Sequence, residues 1–183
     1  MDKMLVGFAG NKGHGKDTAA LALKPYGFEV VKFADPLKNM GRAFLASAGM
    51  DQIEIERCIE GDRKEEPLDV LSGASMRRFM QLIGYEFGRG MISDSIWADI
   101  FRLRVNMFLR IVCTDVRFPN EVEVIRSLGG RVFLVKDPRK LTTDTHVTES
   151  GVASLAVDGV IVNGGDIQLL HSKVLTAVFQ GMV

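Results

Sequence analysis

Gly10-Asn11-Lys12-Gly13-His14-Gly15-Lys16-Asp17-Thr18 is the most informative segment of the sequence. It follows a short apolar run and precedes a segment with helical periodicity from residue 16 to about residue 23. Glycines let the backbone wrap tightly enough for successive N–H groups to face an anion, and the N-terminus of the next helix adds partial positive charge. The spacing G-x-x-x-x-G-K between a strand and a helix therefore predicts a phosphate-binding loop.

The loop residues that we expect to contact ATP are Asn11, Gly13, His14, Gly15, Lys16, Asp17 and Thr18. Lys16 is the catalytic candidate, because its ammonium would reach the β- and γ-phosphates. The usual motif continues with Ser or Thr, whose hydroxyl binds Mg²⁺, whereas here Asp17 precedes Thr18. A carboxylate is also a hard oxygen ligand, so we expect Asp17 near the metal. Thr18 as the metal ligand, or Asp17 as a helix cap, remain open alternatives.

Five short apolar runs predict strands at residues 4–9, 28–34, 109–114, 131–135 and 159–162. Continuous apolar runs are typical of strands that are buried on both faces of a parallel sheet. Segments with helical periodicity separate them, which predicts an α/β fold of three layers with a five-stranded parallel sheet. The gap from residue 35 to residue 108 is too long for one crossover, and we expect three or four helices there. The predicted organisation is one domain of residues 1–183, with a helical insert at about 36–107 and a lid-like loop at about 137–148.

Charge is balanced overall but segregated along the chain. The 23 basic residues equal the 23 acidic ones, so the broad basic footprint of a nucleic-acid-binding protein is absent. Eight acids face three bases between residues 51 and 69, which is typical of a solvated face. Seven arginines and no lysine lie between residues 77 and 117, and arginine is favoured where phosphate is held in a bidentate geometry. The two cysteines, Cys58 and Cys113, lack the spacing of a metal or redox motif.

A second anion site is predicted from residues in and after the long gap. At 100° per residue, a helix from residue 76 to residue 89 has one apolar arc for the core, which includes Phe87, and one polar arc that could hold a phosphate and a base. Lys38 and Arg42 share a face of the preceding helix. For the polar arc and for the face with Lys38 and Arg42, the alternative is a solvated surface without a ligand. Trp97 could stack on a base, and the alternative for it is a position in the core. The candidate acceptor-binding residues here are Lys38, Arg42, Arg78, Gln81, Arg89 and Trp97.

The third strand ends in Asp115, and Arg117 follows two residues later. Asp115 is placed to order Mg²⁺ or to bind substrate, and Arg117 to hold the acceptor phosphate as a catalytic residue. Glu121 is either a substrate contact or a carboxylate that complements the first turn of the next helix. After the fourth strand, Arg139 is expected to close over the donor phosphates and neutralise the transferring group, because phosphoryl transfer depends mostly on positioning and charge.

Several blocks of the chain resemble the phage deoxynucleoside monophosphate kinase family. They occur in the family's order and cover about residues 4–165: GNKGHGKDT, FADPLK, R-x-x-Q-x-x-G-x-E-x-x-R, TDVRFPNE, D-x-H-x-x-E and VNGG. The resemblance implies a P-loop kinase fold, ATP with Mg²⁺ as donor, and a deoxynucleoside monophosphate as acceptor. It also implies acceptor contacts by the candidates already named and by Glu149 of the D-x-H-x-x-E block.

The expected reaction is transfer of the ATP γ-phosphoryl group to a deoxynucleoside monophosphate, which gives the diphosphate and ADP. A P-loop kinase for another small acceptor, of the dephospho-coenzyme A or phosphometabolite type, is an alternative. A nucleotide-binding module without catalysis is another. No charged region followed by a long apolar stretch opens the sequence, so we expect a cytoplasmic protein (in the host, if of phage origin). Partners are expected to be small molecules, not nucleic acid or a membrane. A homodimer is an open alternative, because methionines of the insert could belong either to the core or to a helix–helix interface.

Overall fold

The computed structural model describes residues 3–140 and 152–180. These residues form two compact units. The first runs up to Phe33 and resumes at Ile100, and we call it the sheet unit. The second is Ala34–Asp99, which we call the helical unit.

The described residues contain one five-stranded sheet, all of it in the sheet unit. Its strands are β1 (Met4–Ala9), β2 (Glu29–Val30), β3 (Arg110–Val116), β4 (Arg131–Lys136) and β5 (Gly159–Val162). All neighbours are parallel, in the order β2-β3-β1-β4-β5. This confirms the predicted parallel sheet. The carboxyl end of β1, from which the phosphate loop starts, therefore lies centrally on the sheet edge where α/β proteins bind ligands.

The α-helices of the described residues are α1 (Lys16–Leu21), α2 (Asp35–Ser47), α3 (Gln52–Ile59), α4 (Met76–Gln81), α5 (Ile96–Arg104), α6 (Pro119–Ser127) and α7 (Ile167–Phe179). Two helices pack on opposite faces of β1, because successive side chains of a strand point in opposite directions. Phe8 packs with Leu170 and Val174 of α7. A Cβ at Gly7 would lie 2.7 Å from Ile125 Cδ1 of α6. The three-layer α/β fold that the sequence predicts is thereby confirmed.

Strand β2 is shorter than the apolar run at residues 28–34 predicts. Its pairing with β3 extends to the Val31 N–H, which donates to Val112 O at 3.1 Å. The Phe33 N–H instead donates to the Asp115 side chain at 3.0 Å. A carboxylate thus replaces the backbone partner and ends the ladder. The apolar residues Phe28, Val31 and Phe33 remain buried.

The helical unit has an apolar core of its own. Leu45, Ile55, Ile59 and Met76 are among its fully buried side chains. A Cβ at Gly41 of α2 would lie only 2.8 Å from side-chain atoms of both Ile59 and Met76, so α2 approaches α3 and α4 closely. Side-chain caps fix the helix starts, with Asp51 accepting N–H bonds at α3 and Ser75 at α4.

The helix predicted from residue 76 to residue 89 is not one α-helix. Helix α4 ends at Gln81, and Leu82–Ile92 continue as a π-helix, which has a wider turn. A fixed rotation of 100° per residue therefore fails after Gln81. The predicted core residue Phe87 is exposed, whereas Arg89, assigned to the polar arc, is buried.

Within residues 3–140 and 152–180, no helix is both long and apolar enough to cross a membrane. Cys58 and Cys113 are buried free thiols, one in each unit. Across the same ranges, no group of three or more His, Cys, Asp or Glu side chains is arranged to hold a metal ion.

Candidate active site

The phosphate loop joins β1 to α1, as the sequence predicts. Gly10, Gly13 and Gly15 adopt φ values of +148°, +79° and +95°. Residues with a Cβ rarely adopt these conformations. At Gly10 a Cβ would also lie 2.4 Å from Val135 O of the neighbouring strand β4. The loop conformation thus requires glycine both for its dihedral angles and for its close approach to β4.

The Lys16 ammonium lies against the loop backbone. Its Nζ donates to Gly10 O at 2.6 Å and to Asn11 O at 2.9 Å. The residue is buried although it carries a charge. The loop carbonyls therefore hold the one positive side chain that the motif supplies for phosphate.

Residues distant in sequence fix the outer side of the loop. The buried His14 ring accepts the Asp137 N–H at Nδ1, over 3.3 Å. Asn163 Nδ2 donates to His14 O at 3.1 Å, and Lys140 Nζ donates to Gly13 O at 2.9 Å. The sequence signals His14 as a direct ATP contact, whereas its ring here accepts a backbone N–H. Asn163 was visible in the sequence only as part of the VNGG block.

Asp17, at the start of α1, forms a three-residue cluster with Lys32, which follows β2, and Thr114, which lies in β3. Its Oδ1 accepts from Lys32 Nζ and from Thr114 Oγ1, each at 2.7 Å. Desolvation raises the pKa of Asp17, but these two hydrogen bonds and the charges of Lys32 and Lys16 outweigh it and hold the pKa below its ordinary value. The carboxylate is therefore ionised at neutral pH. Neither Lys32 nor Thr114 was identified from the sequence.

Oxygen ligands suited to Mg²⁺ are present in this cluster. Mg²⁺ in nucleotide sites takes one or two carboxylates together with substrate phosphates and water. The Asp17 side chain is 75% exposed beside the loop, and the Thr114 hydroxyl bonds it directly. The residues thus fit the metal that the sequence predicts, and Lys32 is the cation that holds Asp17 in this structure.

Asp115 has a structural role at the end of β3. Its Oδ1 accepts from Phe33 N at 3.0 Å and from Cys113 Sγ at 3.2 Å. Burial and the Asp115 charge raise the pKa of the Cys113 thiol, so the thiol keeps its proton and donates it. Oδ1 thus joins β2 to β3, and the metal or substrate contact that the sequence predicts for this carboxylate stays a prediction.

Glu121 organises the turn that carries Arg117. It is buried, and its Oε2 accepts from Arg117 N at 2.7 Å and from Phe118 N at 3.1 Å. These bonds correspond to the helix-start alternative from the sequence, and substrate contact by Glu121 stays a prediction. The turn fixes the backbone of Arg117, which follows β3 on the same sheet edge as the loop.

Arg139 lies beside the phosphate loop but is paired with an acid. Its Nε and Nη2 donate to the two carboxylate oxygens of Asp137, both at 2.9 Å, and Nη2 also donates to Asn163 O at 3.2 Å. The Arg139 hydrogen bonds lower the pKa of Asp137 to about 2. The same Asp137 donates its N–H to His14, so this pair is continuous with the outer side of the loop.

Lys38 and Arg42, predicted as acceptor contacts, face α3 within the helical unit. Lys38 Nζ bonds Glu60 Oε1 at 2.5 Å, and Arg42 binds both oxygens of Glu56 at 2.7 and 2.9 Å. The acidic run at residues 51–69 is therefore not only a solvated face, because two of its members neutralise these cations. A net charge of zero thus reveals neither the separation of acidic and basic residues along the sequence nor the ion pairs that they form in the fold.

The remaining candidates of the helical unit do not form the predicted polar arc. Arg78 is exposed, with Glu86 at 4.0 Å, and Gln81 is half-buried at the end of α4. Arg89 is buried, and its Nη1 donates to Asp94 O at 3.0 Å. Trp97 is buried as well, and its Nε1 donates to Gly84 O at 2.7 Å, which is the core alternative from the sequence. Glu149, and the predicted lid-like loop beyond residue 140, lie outside the described residues.

Comparison with known proteins gives the family. Residues 45–174 match the family model of deoxynucleotide monophosphate kinase. The "Putative deoxynucleotide monophosphate kinase" of Acanthamoeba polyphaga mimivirus is 32% identical over an alignment of 191 residues that covers 96% of each chain. The deoxynucleotide monophosphate kinase of Escherichia phage RB69 is 31% identical over 105 residues, 55% of this chain and 43% of the phage protein. The crystal structure of TT1252 from Thermus thermophilus shares the fold, with a TM-score of 0.53 and 18% identity over the whole of both chains. The chain belongs to the deoxynucleotide monophosphate kinase family.

Proposed function

We propose that this protein transfers the γ-phosphoryl group of ATP to the phosphate of a deoxynucleoside monophosphate, giving the diphosphate and ADP. The observation that carries the proposal is the strand–loop–helix geometry around Lys16, in a chain of this family. The Lys16 ammonium exchanges its two backbone acceptors for phosphate oxygens when ATP binds. Donor and acceptor are both small molecules, so the family requires neither nucleic acid nor a membrane.

Catalysis on this site is positioning and charge neutralisation. The loop amides and Lys16 hold the donor, and Arg117 is the proposed acceptor-phosphate ligand of the sheet unit, with Arg139 neutralising the transferring group after release from Asp137. No general base is required, because the attacking acceptor phosphate is already anionic at neutral pH. The barrier falls because both reactants are held in line and their charges are compensated.

Mg²⁺ is the proposed cofactor, and Asp17 its protein ligand, with Thr18 as the open alternative. Bound Mg²⁺ supplies neutralisation of the β- and γ-phosphate oxygens. Lys32 and Thr114 position Asp17 for that task. Asp115 is the third candidate ligand from the sequence, and its Oδ1, like that of Asp17, accepts two hydrogen bonds in this structure.

The helical unit is the proposed acceptor-binding insert. Lys38, Arg42 and Arg78 are the proposed phosphate contacts there. Arg89 and Trp97 support the unit from its interior through bonds to Asp94 and Gly84. The proposal also places the protein in the cytoplasm, where ATP and nucleoside monophosphates are available, and a homodimer is a prediction that sedimentation velocity tests.

A panel of acceptors tests the proposed function. Purified protein with ATP and Mg²⁺ is given each deoxynucleoside monophosphate, each ribonucleoside monophosphate and dephospho-coenzyme A, and ADP release is coupled to NADH oxidation. We expect stimulation by at least one deoxynucleoside monophosphate, with the diphosphate identified by chromatography. A Lys16→Met sample prepared in parallel excludes a contaminating kinase. Stimulation by dephospho-coenzyme A alone, or by no acceptor, would overturn the proposal.

A further inference from the structure

One carboxylate oxygen lies between the two cations of α2. Glu60 Oε1 is 2.5 Å from Lys38 Nζ and 3.8 Å from Arg42 Nη2. Lys38 and Arg42 are four residues apart on one helix, so both can reach one small anion. The Lys38 side chain is only 10% exposed, which makes its interaction with an oxyanion stronger than that of a surface lysine. An anionic oxygen thus already occupies the position that these cations create.

The two acids that face these cations are held differently. Glu56 binds Arg42 through both of its oxygens, and Gln52 Nε2 donates to it at 3.1 Å. Glu60 binds Lys38 through a single oxygen, and its side chain is 46% exposed. Glu60 also stands just after the last residue of α3, where the helix ends. Glu56 is therefore a fixed partner, whereas Glu60 can turn toward water by rotation of its side chain.

Charge balance limits what else can bind here. Lys38 and Arg42 carry two positive charges, and Glu56 and Glu60 carry two negative ones, so the four side chains are neutral together. A phosphate dianion added to this arrangement would meet two carboxylates, and like charges at this separation repel. With Glu60 turned away, the remaining three side chains carry one net positive charge.

We propose that Glu60 occupies the acceptor-phosphate subsite formed by Lys38 and Arg42, and that the incoming phosphate displaces it. Glu60 thereby sets the affinity of the subsite and its preference for charge. Replacing a monoanionic carboxylate favours a dianionic phosphomonoester over a monoanionic phosphodiester, because only the former offers more charge than the group it displaces. This inference rests on the proposed function, in which Lys38 and Arg42 contact the acceptor.

Glu60→Gln is the decisive variant, because the amide oxygen still accepts from Lys38 while the negative charge is lost. Removing a competing charge at this partly exposed position should lower the KM for the acceptor by about threefold to tenfold. The KM for ATP should not change. Glu66→Gln is the matched control, since Glu66 lies in the same acidic run and its carboxylate pairs with Arg63 instead of an α2 cation. An acceptor KM that is unchanged or higher in Glu60→Gln would overturn the inference.

A binding measurement separates this inference from the proposed function. Inorganic phosphate is titrated at pH 8 against the full chain, with thermal unfolding as the readout. Glu60→Gln should respond at lower phosphate concentration than the wild type, and Lys38→Met combined with Glu60→Gln should lose that gain. Phosphate bound at the loop contributes equally to all three proteins and cancels in the comparison. Equal midpoints for wild type and Glu60→Gln reject the inference even in an active kinase. If no acceptor is phosphorylated, the proposed function fails, and the titration still decides the role of Glu60.

Discussion

The phosphate loop of the sheet unit and the α2 cations of the helical unit hold their proposed anion-binding groups in different ways. In the sheet unit, the phosphate loop relies on backbone geometry, and Lys16 is held by carbonyl oxygens, which are neutral acceptors. In the helical unit, Lys38 and Arg42 are held by the carboxylates of Glu60 and Glu56. A carbonyl oxygen accepts a hydrogen bond without carrying a full negative charge, whereas a carboxylate brings a full negative charge to its partner. In our proposal, phosphate replaces neutral acceptors at the loop, whereas at the α2 cations it displaces the carboxylate of Glu60.

Lys16→Met removes the ammonium that the loop carbonyls hold, and we expect the largest effect from this variant. Removing one preorganised donor to a transferring group lowers kcat by about 10²–10³-fold. The loop conformation should persist, because its glycine dihedral angles do not depend on the lysine. Coupled ADP release measures the rate. The control Lys12→Met removes an exposed lysine of the same loop and should keep most of the activity. Comparable loss in both variants would show that general loop charge, and not the Lys16 contact, is responsible.

Asp17→Ala tests whether the cluster beside the loop works through Mg²⁺. We expect the Mg²⁺ concentration for half-maximal activity to rise by about 10- to 100-fold, the range for loss of a supporting metal interaction. Binding of a fluorescent ATP analogue without metal should weaken far less. Thr18→Ala is the matched control, because Thr18 is the alternative ligand. If Thr18→Ala shifts the Mg²⁺ requirement and Asp17→Ala does not, the roles are reversed.

The difference between the units also explains what sequence could predict. The loop is a contiguous motif, and its strand, glycines and lysine all fall within residues 4–16. The five apolar runs likewise predict the sheet, because burial on both faces leaves a local signature. The signal fails where a contact joins distant residues, as when the Asp115 carboxylate ends the β2 ladder at Phe33. Lys32 and Thr114 were missed for the same reason, since only the folded sheet brings them to Asp17.

In the helical unit, the failure has two physical causes. The helical pattern assumes a constant rotation per residue, and the π-helix at Leu82–Ile92 has a different rotation. Arg89 is therefore buried and Phe87 exposed, the reverse of the prediction. Composition counts charges but not pairs, so the acids of α3 appeared independent of the cations of α2. Glu60 and Lys38 are separated by 22 residues, and no local pattern links them. In this unit the sequence predicts candidate residues from their residue type, and only the structure shows which side chains pair with them.

Trp97→Phe separates a structural role in the helical unit from a role in substrate binding. The substitution removes the bond from Nε1 to Gly84 O and should lower the free energy of unfolding by about 1 kcal/mol. The acceptor KM should not change, because the indole is buried in its own unit. Urea unfolding and initial rates give the two numbers. Tyr85→Phe, at an exposed aromatic of the π-helix, is the control. A raised acceptor KM with unchanged stability would return Trp97 to the substrate site.

Asp137→Asn and Asp62→Asn compare the contribution to stability of one ion pair from each unit. We expect these variants to have the smallest effects of those considered. Arginine hydrogen bonds lower the pKa of each carboxyl to about 2, from Arg139 at Asp137 and from Arg57 at Asp62. Because the folded pKa lies below the ordinary value of about 3.9, each pair stabilises the fold above that pH and loses its effect as pH falls toward 2. Asp137 is buried and ordered by the loop, whereas the Asp62 side chain is 69% exposed, and exposed pairs contribute little. Urea unfolding at pH 7, 4 and 3 measures the free energy of unfolding. That free energy should depend less on pH in Asp137→Asn than in the wild type, whereas Asp62→Asn should behave nearly as the wild type does. If the pH dependence of the free energy of unfolding flattened equally in both variants, the two ion pairs would contribute equally to stability. The contrast between buried contacts at the loop and exposed ion pairs in the helical unit would then not hold.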